Sequence, residues 1–280
     1  MWALVTVIVL SWAYILSGAG MGMSAWKMTS LDVALGRSQP MQAPEMNNGA
    51  ISGAGMASGT TNGPMAAMAT PARWDFGYAG VMVVMWWVMM FAMMLPSAAP
   101  MILLFTAANR LQSQADRDAL LPTGIFAWGY IAVWGGFSVI ATALQWALES
   151  AGILSPMMNA TNLLMAGIIL LLAGLYQLTP VKQACLRHCR SPLQFLMGRW
   201  HGGRWGAFRM GVEHGTFCLG CCWGLMALLF FGGVMNLYWI AGLAIIVLLE
   251  KMIPAGAILG KIIGALLMLW GAIFIYHVVA

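Results

Sequence analysis

Seven stretches of this chain run for about one bilayer thickness almost without a charge, at residues 2–20, 79–106, 123–147, 162–178, 210–233, 236–251 and 258–278. Roughly 20 apolar residues in a row are what a helix needs to cross a membrane, because lipid offers the backbone no hydrogen-bond partner and only a helix or a closed barrel satisfies its own polar groups. With 61% hydrophobic and 8% charged residues, the chain lies far outside the balance of a soluble domain. These runs predict an all-α polytopic membrane protein, a bundle of about seven transmembrane helices forming one domain over residues 1–280. No segment is both long and polar enough to fold as a second domain.

The placement of charge orients the bundle. Lys182, Arg187, Arg190, Arg199, Arg204 and Arg209 crowd residues 180–209, which the positive-inside rule makes a basic cytoplasmic loop. Alternation then puts Arg110, Arg117, Lys251 and Lys261 on the same side, the connection around Ser155-Pro156 outside, the amino terminus in and the carboxyl terminus out. The net charge of +5 is thereby explained by topology, and nucleic acid is not implied. No G-x-x-x-x-G-K-[ST] loop occurs, so no nucleotide is expected. Met1-Trp2-Ala3-Leu4 lacks a basic start, and no small-x-small cleavage pattern follows, so the first helix reads as retained.

Residues 21–75 are rich in Gly, Ala, Ser, Asn, Pro and Met and nearly free of large aliphatics, which predicts a flexible external loop. Its methionines, Met21, Met23, Met28, Met41, Met46, Met56, Met65 and Met68, are soft thioethers suited to capturing a monovalent metal where thiols would oxidise. In the next helix Met82, Met85, Met89 and Met93 follow one stripe, ahead of Pro96 and Pro100. Met stripes more often pack than bind. Here the stripe leads from the Met-rich loop towards the cysteines, so Met85, Met89 and Met93 are weaker candidate ligands.

All five cysteines fall between Cys185 and Cys222, on the predicted reducing side, which disfavours a disulfide framework and favours thiolate or metal chemistry. Cys185, His188 and Cys189 form a C-x-x-H-C cluster that one helical turn would gather. The order is wrong for covalent haem attachment, and three ligands are one short of a closed zinc site. In Gly211-Val-Glu-His-Gly-Thr-Phe-Cys-Leu-Gly-Cys-Cys-Trp-Gly224, His214, Cys218 and Cys221 follow i, i+4, i+7, with Cys222 beside them. Intramembrane polar residues mark function by default, so these four are candidate metal ligands and Glu213 a weaker one. Gly211, Gly215, Gly220 and Gly224 predict a neighbouring helix pressed closely against this one. Glu250-Lys251 reads as an interfacial pair with a snorkelling lysine, or as a support for the ligands.

Four stretches, Ala92-Met-Met-Leu-Pro-Ser-Ala-Ala-Pro100, Cys185-Leu-Arg-His-Cys-Arg-Ser-Pro192, Gly215-Thr-Phe-Cys-Leu-Gly-Cys-Cys-Trp223 and Leu249-Glu-Lys251, together resemble a family of bacterial integral membrane proteins described as metal-binding and of unknown function. The resemblance runs in order from the second helix to the last. It implies a multi-pass protein of the bacterial inner membrane that binds a transition metal, with Cys185, His188, Cys189, Cys218, Cys221 and Cys222 at the matching positions. Soft ligands favour copper, with zinc second. The expected role is metal transport or delivery to a membrane enzyme, with a membrane protein partner or a second copy of the chain as possible company. The alternatives are a membrane thiol-disulfide oxidoreductase using Cys218 and Cys221, or a non-catalytic subunit of a larger complex.

Overall fold

The computed structural model describes residues 2–18, 74–112, 116–152 and 163–279, and every regular element among them is helical. The expected external loop lies outside the described residues up to position 73, as does the connection around Ser155-Pro156. The chain runs α1 (Trp2–Leu16), α2 (Phe76–Gln112), α3 (Asp116–Ser150), α4 (Leu163–Leu178), α5 (Pro180–Arg190), α6 (Pro192–Arg199), α7 (Gly203–Ala227), α8 (Leu229–Gly232), α9 (Leu237–Met252) and α10 (Gly256–Val279).

Every apolar stretch of the sequence is a helix, but the helices differ in reach. Four spans, Phe76–Leu111, Leu120–Ser150, Gly203–Gly232 and Gly256–Val279, are long and apolar enough to cross a membrane. A fifth forms if α4 and α5 count as one span bent by 62°. The stretches at 2–20 and 236–251 form helices of 15 and 16 residues, short of the roughly 20 that a full crossing takes. The bend between α4 and α5 has a local cause. Pro180 cannot continue the ladder of α4, and Thr179 caps the new helix by accepting from the Lys182 amide at 3.3 Å.

α7 is the central element. Its glycines bring neighbours to backbone contact, as the small-residue spacing predicts: a Cβ on Gly211 would strike the Phe126 carbonyl of α3, and one on Gly129 would strike the Phe208 carbonyl of α7. α5 lies along another side of α7, with the Cys185 sulfur 2.8 Å from where a Gly220 Cβ would sit. α4 and α10 cross through Gly174 and Gly264 in the same manner. α2 fills the remaining side and buries Met82, Met85, Met89, Met90, Met93, Met94 and Met101.

The residues expected to be cytoplasmic collect at one end of the bundle. Phe105 of α2 stacks on Trp200 at 5.6 Å, and the Arg190 guanidinium donates to the carbonyls of Ile253 and Pro254 after α9. Residues 180–209, read from sequence as a loop, are helical for most of their length. An i, i+4 array of polar and apolar residues starting at Thr179-Pro180 makes α5 amphipathic, and its apolar side lies on α7.

Candidate metal centre

The sulfurs gather where α2, α5 and α7 meet. Cys218, Cys221 and Cys222 are all buried on α7, while Cys185 and Cys189 are half-buried on α5, and all five are free thiols. Cys221 Sγ lies 3.9 Å from Cys189 Sγ, joining the two cysteine motifs across the α5–α7 contact. Cys222 Sγ lies 3.8 Å from Met94 Sδ, which ties the second motif to α2. Among the described residues no three His, Cys, Asp or Glu side chains close into a cage. The sulfurs meet in pairs. Sulfurs 3.9 Å apart each reach a metal at about 2.3 Å with an S–metal–S angle of roughly 115°.

The remaining sequence candidates divide. Cys185 packs over Gly220, its sulfur 2.8 Å from where a Gly220 Cβ would sit. His188 turns away: its ring stacks flat on Phe217 at 4.3 Å, and Nδ1 lies 2.9 Å from the Ala184 carbonyl. His214 is buried among the rings of Phe126, Tyr130 and Phe195, and its Nδ1 has no hydrogen-bond partner. Glu213 points to the rim of the bundle, where its carboxylate accepts from Arg199 and Arg209, each at 3.2 Å. Met85, Met89 and Met93 line the interior of α2.

Around the sulfurs is a set of hard groups, of which the sequence reading named Glu250 and Lys251 as an interfacial pair or a support for the ligands and gave Tyr130 and Ser97 no role. The Lys251 ammonium donates to Cys218 Sγ and to Ser97 Oγ, both at 2.9 Å. The Tyr130 hydroxyl also lies 3.1 Å from Cys218 Sγ. Lys251 therefore does not snorkel; it is buried with a sulfur as its main partner. Its neighbour Glu250 faces elsewhere and binds the ammonium of Lys182 at 2.7 and 2.9 Å, with Gln177 donating to the same carboxylate at 3.1 Å. Lys182, counted from sequence among the solvated charges of the basic segment, is fully buried. A buried pair of this kind costs several kcal/mol of desolvation per ion and persists only where further hydrogen bonds complete it. Here Gln177 donates to Glu250 and also accepts from Lys182.

At the opposite end of α2 and α3 lies a second polar chain. Trp74 Nε1 donates to Glu149, Gln145 donates to the other Glu149 oxygen, and Trp86 Nε1 donates to Gln145, each at 2.9 Å. The Gln145 amide also lies 3.8 Å from Met82 Sδ, the first thioether of the α2 stripe. Gln145 thus sits at the head of the methionine row.

The arrangement presents soft donors inside a low-dielectric bundle, two close sulfur pairs and one buried cation against a thiol. Thiolate and thioether ligands select monovalent copper and zinc over hard ions. Comparison with known proteins agrees with that chemistry. No curated protein and no solved structure matches the chain. A family model described as PpoB2, copper chaperone, matches residues 83–274, which takes in the α2 methionines from Met85 onward, both cysteine motifs and the Glu250-Lys251 step. By the extent of that match, covering well over half of the 280 residues, the chain belongs to the PpoB2 copper chaperone family.

Proposed function

We propose that this protein carries monovalent copper within the bacterial inner membrane and passes it to a membrane-bound acceptor, with its seven apolar helices inserted and the basic segment in the cytoplasm. Copper is cargo in this reading. The observation that carries it is the meeting of Cys189 with Cys221 at 3.9 Å and of Cys222 with Met94 at 3.8 Å, two soft pairs of the kind a monovalent d¹⁰ ion accepts. The α2 methionines form the approach, from Met82 beside Gln145 down to Met94 beside Cys222.

Charge balance supports copper over zinc. Two thiolates with Cu⁺ leave one net negative charge, whereas two thiolates with Zn²⁺ leave none. A buried net charge needs a partner, and the Lys251 ammonium, held 2.9 Å from Cys218 one helical turn before Cys221, supplies one near the Cys189/Cys221 copper complex. With zinc that same ammonium would be uncompensated.

The test is the metal content of the purified protein. Wild type retains copper after desalting, and the Cys189→Ser, Cys221→Ser and Cys222→Ser variants lose it while remaining folded by helicity. Equal copper in wild type and a triple serine variant would end the proposal. A thiol oxidoreductase is the second reading, and the 3.9 Å approach of Cys189 and Cys221 supports that pair beside Cys218/Cys221 as its candidate. Thiols that cycle between alkylatable and protected forms in metal-free protein would favour it.

A further inference from the structure

Between α5 and α6 is an open cleft of about 460 Å³ whose lining includes Arg187, His188, Ser191, Gln194 and Arg199 and no carboxylate. Its cations are held in place from behind. Phe217 of α7 carries the His188 ring stacked at 4.3 Å and the Arg199 guanidinium at 5.3 Å from its centroid. Arg199 shares Glu213 with Arg209, so two arginines divide one carboxylate, and Arg187 has no ion pair among the described residues. The charge facing the cleft is therefore in surplus. Ser191 begins α6 without using its hydroxyl as a cap, leaving that donor available beside the Gln194 amide.

A second observation says where this cleft sits. Leu193 and Met197, one turn apart on α6, are 59% and 78% exposed, and Trp205 at the start of α7 is 77% exposed. Leucine, methionine and tryptophan standing out beside a basic cleft fit the headgroup boundary of a bilayer, where apolar side chains enter the acyl region and tryptophan anchors at the interface. A water-facing origin for the same residues would leave an apolar patch uncovered next to a basic cleft.

The geometry points to the α5–α6 cleft as a binding site for the phosphate of an anionic phospholipid, with Arg187, Arg199, Ser191 and Gln194 taking the headgroup and Leu193 and Met197 taking the upper acyl chain. Guanidinium groups match phosphate oxygens in paired hydrogen bonds, which ammonium groups do not. Basic pockets at the cytoplasmic ends of membrane helices are suited to anionic headgroups. Occupancy would also steady α5, because His188 and Cys189 are neighbours and the lipid site and the sulfur pair lie on two faces of that helix. The inference rests on the membrane reading above and not on the copper reading.

The test uses the full chain. Carbonate-washed membranes are first checked for the protein; its loss to the wash would overturn the membrane reading and the site with it. Protein extracted from washed membranes is then placed in nanodiscs of phosphatidylcholine with or without phosphatidylglycerol, and lipid retained after delipidation is read by native mass spectrometry. Wild type is expected to keep phosphatidylglycerol selectively. Arg187→Gln is expected to weaken that retention roughly fivefold, the loss of one arginine contact at a membrane surface. Arg187→Lys restores only part of it, and Arg204→Gln, exposed and outside the cleft, leaves it unchanged. Equal retention by wild type and Arg187→Gln, or an equal drop in Arg204→Gln, overturns the site in favour of diffuse surface charge. Thermal protection in lipid-free detergent by glycerol 3-phosphate matching that given by phosphatidylglycerol overturns the lipid as its source and leaves a free phosphate ester as the ligand.

Discussion

Replacing Lys182 by methionine keeps the length of the side chain and deletes the ammonium that Glu250 binds at 2.7 and 2.9 Å. With an effective dielectric near 20, one such contact is a gross attraction of about 6 kcal/mol, offset by several kcal/mol of desolvation for each ion. The net value of the pair is therefore small, but the cost of breaking it is not. Lys182→Met leaves the Glu250 carboxylate buried with Gln177 as its one remaining donor, and removal of one partner from such a pair costs about 3–5 kcal/mol. That is a large share of the 5–15 kcal/mol typical of a folded domain. The double variant Lys182→Met/Glu250→Leu removes both charges, and most of the lost stability should return. The assay is thermal unfolding in detergent of wild type, both single variants and the double, read as a double-mutant cycle. A single-variant cost under about 1 kcal/mol, or additive singles, would refute the reasoning. Lys182 and Cys189 lie two turns apart on α5, so the unstable single variant should also lose copper and the double variant regain it.

Two further outcomes follow from the groups around Cys218. Lys251→Met should shift metal preference from Cu⁺ towards Zn²⁺: the ammonium contacts Cys218 at 2.9 Å, one helical turn of about 5.4 Å before Cys221, so a metal on Cys221 lies on the order of 10 Å from Nζ, where one unit of charge is worth about 1.7 kcal/mol, or roughly tenfold to twentyfold in the retention ratio. Competition of the two ions for purified protein measures it, and an unchanged ratio would remove Lys251 from the selectivity argument. His214→Phe places a ring among Phe126, Tyr130 and Phe195 and removes an Nδ1 that has no hydrogen-bond partner among the described residues, so stability should rise by about 1–3 kcal/mol while copper retention, carried by the sulfur pairs, holds at the wild-type level. Loss of copper in that variant would make His214 a ligand.

Much of this architecture is legible without coordinates. Apolar length marks the helices, because a backbone in lipid has few options, and the small residues of Gly211 and Gly215 mark the face that α3 presses against. The union of the two cysteine motifs is suggested by spacing: Cys185 and Cys189 share one face of α5, Cys218 and Cys221 one face of α7, and the connection through α6 folds back so that Cys189 and Cys221 meet at 3.9 Å. Helix lengths are less legible. Residues 2–20 are apolar enough to cross, yet α1 ends after 15 residues at Leu16, ahead of Gly18 with its positive φ, while the stretch at 236–251 spans only 16 residues and α9, begun by the Asn236 side-chain cap, keeps that length. Composition does not record where a helix stops.

The reading of Glu250-Lys251 as an interfacial pair with a snorkelling lysine shows where a sequence argument should have been stricter. Neighbours on a helix point about 100° apart, so residues i and i+1 do not face each other, and opposite charges there are poorly placed to pair. Adjacent charges at the end of α9 are instead a means of reaching two different elements from one turn. Glu250 reaches α5 through Lys182, and Lys251 reaches α7 through Cys218. The two helices that bring Cys189 and Cys221 together are thus both fastened to the same turn of α9. Burial of Lys182 could not be read from its neighbours in sequence, because it depends on the 62° bend that swings the start of α5 inward. The hard charges and the soft sulfurs are therefore one construction. Displacing either residue of the Glu250-Lys251 step should disturb the distance between Cys189 and Cys221 even though neither residue touches that pair.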